Sequence, residues 1–232
     1  MTIVFDTLQP TLAPIAGGDD EFPIRRIYCV GRNYAAHARE MGKDPDRDPP
    51  FFFTKWPETF VPSGQMVAYP PSTDNYHYEI ELVVAIGKGG KAIREANAKD
   101  HIFAYGTGLD MTRRDLQLEA REKGRPWDTG KNFDEAAPIG LLHRAADVGH
   151  VEAGRIWLEV NGETKQDADV RDLIWSVDEI IEYLSNLYEL RAGDIIMTGT
   201  PAGVGPVLPG DKLVGQIDGL SPVEVTIGET AF

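Results

Sequence analysis

Apolar residues in this chain fall mostly in short runs of strand character, and helical spacing is confined to a few brief stretches. Residues 76–86 alternate polar and apolar at first and then turn wholly apolar, as a strand does when it runs from a site into a core. Residues 25–30, Phe51–Lys55, 103–110 and Asp194–Met197 read as further strands, with Phe51–Lys55 buried. Residues 155–167 predict a hairpin around Asn161-Gly162, a pair suited to a type I′ turn. Lys212–Ile217 and residues 223–227 predict a closing strand pair about Asp218-Gly219.

Helices are short. One is predicted over 34–41, with Asn33 as N-cap and Gly42 as its stop, and another over 92–98. A third spans 113–123 and ends at Gly124. Ser176 and Glu179 form a capping box that opens an amphipathic helix through Leu187, with Ile180, Ile181, Leu184 and Leu187 as its core face. Residues 1–24, rich in Pro, Gly and acids, read as an irregular arm, and 25–232 as a single domain. The charged, proline-rich segment 43–50 makes the helix before it a candidate lid.

Composition narrows the function classes. The 232 residues allow one domain with a substantial core. A net charge of −14 argues against a general nucleic-acid or anionic-membrane surface, though a local cation could still attract an anionic substrate. Cys29 is the only cysteine, which excludes an internal disulfide and a thiolate-rich metal site. Without a signal-peptide pattern or a run of 18 apolar residues, the expected location is the cytoplasm, in soluble form. There is no internal repeat.

Candidate chemistry starts at Glu79 and Glu81, which a strand places on one face roughly 7 Å apart. Two carboxylates that close repel unless something positive lies between them, and a hard divalent cation would serve. The alternative is a solvated strand edge. His37 and Glu40 are neighbours at i,i+3 on the 34–41 helix, either a general base with its orienting carboxylate or an ordinary surface pair. Asp110 ends a strand just before a helix, where an N-cap is the simple role, and Arg114 and Gln117 share the face beside it. Lys131 lies in an aromatic, glycine-bearing loop. The glycine-rich loop 198–205 lacks the ending of a P-loop and suits close approach of backbone and the Thr200 hydroxyl to a small ligand.

Together these stretches resemble the fumarylacetoacetate hydrolase family. The likeness rests on Cys29-Val-Gly-Arg-Asn-Tyr-Ala-Ala-His37, Tyr78-Glu-Ile-Glu81, Leu109-Asp-Met-Thr-Arg-Arg-Asp-Leu-Gln117, Lys131 and Thr198-Gly-Thr-Pro-Ala-Gly-Val-Gly-Pro206, which occur in the family's order. The resemblance implies an α+β fold, a mixed β-roll or β-sandwich with a few short helices, assembled as a homodimer. It implies a Mg2+ or Mn2+ ion on Glu79, Glu81 and Asp110, with His37 and Glu40 activating water. It further implies a polar shell of Lys131, Gln117 and Arg114 around the substrate, with the Thr200 hydroxyl nearby. Larger members carry a fourth carboxylate where this chain has Val30, which sets it among the small members.

The implied reaction is hydrolysis of a carbon–carbon bond in a small anionic 2,4-dioxo acid, an acylpyruvate. Residues 50–57 and 61–64 look most like members that cut 3-fumarylpyruvate into fumarate and pyruvate in gentisate degradation. The acid end of that substrate needs a cation, which Arg32 or Arg125 could supply. The same metal site would also serve oxaloacetate decarboxylation or tautomerisation of a 2-oxo acid. A non-catalytic 2-oxo-acid-binding protein is the alternative from another class, disfavoured by the intact dyad, carboxylates and lysine.

Overall fold

Residues Ile80–Ile86 are apolar almost throughout because both faces of the strand are buried. Ile80, Leu82, Val84 and Ile86 point into the larger core, while Val83 and Ala85 point into a second core on the opposite side. The computed structural model describes residues 9–35 and 48–230. In it this strand lies inside an eight-stranded sheet, paired with Asp194–Met197 on one side and Ile102–Leu109 on the other. Arg26–Gly31 runs parallel to Asp194–Met197, and Phe51–Lys55 forms one end of the sheet.

A five-stranded sheet covers the larger core. Its order is Glu163–Asp169, Arg155–Val160, Lys212–Ile217, Val223–Thr230 and Gln65–Tyr69. Leu158, Leu213 and Val223 from this sheet share a core with Leu82 and Val84 from the first. The Asn161-Gly162 turn is left-handed at both residues, as a type I′ turn requires. The helix Val177–Leu187 carries the predicted capping box between Ser176 and Glu179. Ile180, Ile181 and Leu184 are buried on it, but Leu187 is 58% exposed, because the helix ends there and its last turn leaves the core. Mixed sheets with few, short helices make this the expected α+β β-roll. Among the described residues no helix is long and apolar enough to cross a membrane.

Three local expectations need correction. Part of the predicted irregular arm is ordered as an antiparallel hairpin, Thr11–Pro14 with Glu21–Ile24, and it buries Ala13, Ile15, Phe22 and Ile24 in the second core. In Phe51–Lys55 the burial is inverted: the three phenylalanines are only partly covered and Lys55 is buried. The short helix near 92–98 is a 3-10 helix displaced to Glu95–His101. Asn33, the expected N-cap, also ties to the chain near residue 175: its Oδ1 accepts from Trp175 N–H and its Nδ2 donates to the carbonyls of Trp175 and Thr198. From residue 36 onward the predicted helix, the candidate lid, and His37 and Glu40 with them, lie outside the described residues.

The predicted strand 76–86 is broken at Glu79. Tyr76–Tyr78 belongs to a small three-stranded sheet with Thr112–Arg113 and Gly205–Pro206, and Ile80–Ile86 to the large one. At the junction Glu79 C=O accepts Asp110 N–H at 2.8 Å, and Ile80 N–H turns to the side chain of Gln166 at 3.0 Å. The change of sheet therefore occurs between the two glutamates.

Candidate metal centre

Glu79, at that junction, and Glu81, on the large-sheet strand, converge with Asp110, which ends the neighbouring strand. One ligand oxygen from each lies within 4.8 Å of the others. Relative exposures of 4%, 2% and 0% remove all three from bulk water. Buried carboxylates require compensation, and three cations provide it for two of them. Lys131 Nζ donates to Glu79 Oε2 at 2.7 Å, Asp110 Oδ2 at 2.6 Å and Thr112 Oγ1 at 2.7 Å. Arg114 pairs with the other Glu79 oxygen, and Lys55 Nζ lies 2.9 Å from Asp110 Oδ1.

Glu81 is treated differently. Its Oε2 accepts Gly199 N–H at 2.8 Å, and it forms no salt bridge with a described residue. Burial, with Asp110 and Glu79 close by, pushes its pKa well above the usual carboxylate range. Burial alone would lower the Lys131 pKa, but Asp110 and Glu79 outweigh it, and the ammonium stays charged. The donor set fits a hard divalent cation: three carboxylates in close convergence, one of them in no salt bridge with a described residue.

Local backbone explains how these groups meet. Gly199 adopts φ +103°, and a Cβ there would lie 2.7 Å from Asn33 Cβ, so only glycine brings this amide against Glu81. Lys131 ends the single turn Asp128–Lys131, which packs on the helix Arg114–Glu122 at Gly130. A Cβ on Gly130 would meet Gln117 N at 2.7 Å, so the bare α-carbon allows the close approach that places Lys131 over the carboxylates. Arg114 Nη1 donates to Gln117 Oε1 at 2.5 Å and Nε to His77 Nδ1 at 3.4 Å. Burial and Arg114 lower the His77 pKa to about 4, so the ring is neutral and can accept from the guanidinium.

The structure thus gathers Glu79, Glu81, Asp110, Lys131, Arg114, Gln117 and Thr200 around one cleft, with Val30 also on its wall. A wider cavity of about 530 Å³ shares Arg32, Phe53, Trp127 and Lys131 with that cleft. Arg32 has φ 58° and holds its guanidinium 5.3 Å from the Phe51 ring centroid and 5.9 Å from that of Trp127. Arg125 is exposed and does not line the cleft; Arg121 does.

Sequence reasoning missed Lys55, Gln166 and Arg121. Lys55 was detectable as a charge on the same strand face as Phe51 and Phe53. Gln166 left no such signal, because its partners Ile80 and Thr200 lie 86 and 34 residues away.

A family model described as Fumarylacetoacetate (FAA) hydrolase C-terminal matches residues 26–228. Fumarylpyruvate hydrolase of Ralstonia sp is 53% identical over 190 residues, 81% of this chain and 98% of that protein. The mitochondrial oxaloacetate tautomerase FAHD1 of Mus musculus is 41% identical over 208 residues, 90% of this chain and 94% of that protein. Among solved structures, fumarylpyruvate hydrolase from Pseudomonas aeruginosa in complex with Mn2+ and pyruvate aligns with a TM-score of 0.96 at 53% identity. That alignment covers 98% of this chain and 100% of the other.

Proposed function

This chain belongs to the fumarylacetoacetate hydrolase family, and we propose that it hydrolyses an acylpyruvate, foremost 3-fumarylpyruvate, to a carboxylic acid and pyruvate. One observation carries the reading: the buried triad of Glu79, Glu81 and Asp110 faces a cleft walled by Lys131, Arg114, Gln117 and Thr200. The relative of TM-score 0.96 that was solved with Mn2+ and pyruvate supports it.

Glu79, Glu81 and Asp110 would hold Mg2+ or Mn2+, a Lewis acid for the substrate's 1-carboxylate and 2-oxo oxygens. Arg114, held by His77 and Gln117, and the Thr200 hydroxyl would orient the pyruvyl end. His37, steadied by Glu40, would take a proton from water as its oxygen attacks C4. The C3–C4 bond then breaks with its electron pair left on C3, as the enolate of pyruvate. Lys131, charged and already within reach of two carboxylates, would offset that negative charge. A proton delivered to C3 completes pyruvate, and the acyl group leaves as the acid.

The wider cavity suits the planar acyl arm, with Phe51, Phe53 and Trp127 as its walls. Burial and the nearby Arg121 both depress the Arg32 pKa, so a distal carboxylate between these guanidiniums would relieve their repulsion. Oxaloacetate tautomerisation is the second reading, favoured by the relative that is 41% identical. It needs proton transfer between C3 and the 2-oxo oxygen and no attacking water.

Turnover with Mn2+ tests the proposal. Wild-type protein is expected to release fumarate and pyruvate from 3-fumarylpyruvate, and His37→Ala to bind Mn2+ and pyruvate normally while losing that release by about 100-fold or more. Equal turnover by the two would remove the dyad from the mechanism, and no release by wild type would contradict the hydrolase reading.

A further inference from the structure

Gln166 is fully buried on the strand Glu163–Asp169, in the sheet that carries no member of the carboxylate triad. Its carboxamide nevertheless reaches into the site. Oε1 accepts Ile80 N–H at 3.0 Å, and Nε2 donates to Thr200 Oγ1 and to Pro201 C=O, both at 2.8 Å. The amide orientation is fixed, since a backbone N–H can only donate and a carbonyl can only accept. Ile80 separates Glu79 from Glu81, and Thr200 lines the cleft. One side chain therefore ties the glutamate junction to the glycine-rich loop.

A hydroxyl has one hydrogen to give and two lone pairs to accept with. Because Nε2 donates to Thr200 Oγ1, the Thr200 hydrogen cannot point back along that contact. We propose that Gln166 is a positioning residue: it occupies the acceptor side of Thr200 and so directs the hydroxyl hydrogen into the cleft, as a donor to the carboxylate of a bound 2-oxo acid. Its bond to Ile80 N–H also keeps that donor in register with Glu79 and Glu81. The ligand's identity rests on the acylpyruvate reading; the hydrogen-bond direction does not.

Pyruvate binding to the Mn2+-loaded protein, measured by calorimetry, tests this without turnover. In Gln166→Glu the introduced carboxylate, once ionised, can only accept, so at a pH high enough to ionise it the Thr200 hydrogen turns toward it and away from the cleft. Pyruvate affinity is expected to fall about tenfold, with the Mn2+ affinity and the unfolding midpoint kept. Thr200→Val should produce a similar fall, Thr200→Ser should not, and combining Gln166→Glu with Thr200→Val should add little to either alone. Multiplicative losses, or equal affinities of the Val and Ser variants, would overturn the proposal, as would a parallel loss of metal and pyruvate binding. Should Gln166→Glu fail to fold, Gln166→Met, neutral and of similar volume, enters the same cycle. Wild type that binds pyruvate yet leaves 3-fumarylpyruvate intact would contradict the hydrolase reading alone, whereas wild type that holds Mn2+ but not pyruvate would overturn this proposal too.

Discussion

Three carboxylates meet three cations beside the cleft, but the pairing is uneven. Lys131 and Arg114 serve Glu79, Lys131 and Lys55 serve Asp110, and Glu81 has one backbone N–H. Two like charges about 4 Å apart repel by about 4 kcal/mol at an effective dielectric near 20. Without a metal, keeping Glu81 ionised, or protonating it, therefore opposes folding; with one, it would serve as a ligand. Glu81→Gln is expected to stabilise the metal-free protein by about 1–3 kcal/mol in urea unfolding while abolishing the stabilisation that Mn2+ gives wild type. Destabilisation of the metal-free variant would show that Glu81 is already compensated. That two glutamates two residues apart could share a cation was legible in their spacing, with a solvated strand edge as the alternative, and burial of both decides against the edge. That protein cations would pair with Glu79 and Asp110 but not with Glu81 was not legible, because Lys55 and Lys131 arrive from separate elements.

At the scale of elements, the helix Arg114–Glu122 carries Arg114 and Gln117, and its first turn is tied down by Asp115. Thr73 Oγ1 donates to Asp115 Oδ1 at 2.5 Å, Leu116 N–H to the same oxygen at 2.9 Å, and Asp74 N–H to Oδ2 at 3.0 Å. Burial works to raise the Asp115 pKa, but these bonds outweigh it and the net shift is downward. A carboxylate whose pKa is lower folded than unfolded contributes stability above its unfolded value, and loses it as the pH falls through the folded one. Asp115→Asn should therefore destabilise by about 1 kcal/mol at pH 7 and match wild type near pH 2. Urea titrations at the two pH values check this, and an equal gap at both would mean that the carboxylate's charge is not what holds the turn.

Elements specified by neighbouring residues were readable in the sequence, among them the Asn161-Gly162 hairpin and the Ser176–Glu179 capping box. Elements decided by distant packing were not. The hairpin Thr11–Pro14 with Glu21–Ile24 hides behind its prolines and glycines until Phe22 stacks on Phe103 at 5.7 Å. The break at Glu79 is likewise invisible locally, because the groups that divert its backbone, Asp110 and Gln166, are far along the chain.

Across the whole molecule, two sheets share the larger core and the site sits where they are stitched together. Ile80–Ile86 brings Glu81 from the large sheet, Tyr76–Tyr78 leads into Glu79 from the small one, and Gln166 reaches in from the five-stranded one. Because these groups sit on strands or at strand ends, the fold itself sets the spacing between Glu79, Glu81 and Gln166. The overall charge of −14 contrasts with the cleft, where Arg32 and Arg121 stand beside Lys131 and Arg114, the latter two paired with the carboxylates. The reaction proposed for this site is attack of water on an acylpyruvate. The most direct measurement offers the Mg2+-loaded protein 3-fumarylpyruvate and oxaloacetate side by side and quantifies fumarate, pyruvate and CO2. Chelator-sensitive release of fumarate and pyruvate, one for one and faster than any turnover of oxaloacetate, is the expected result. Oxaloacetate consumed while 3-fumarylpyruvate stays intact would contradict it, leaving the metal site in place but with a different reaction.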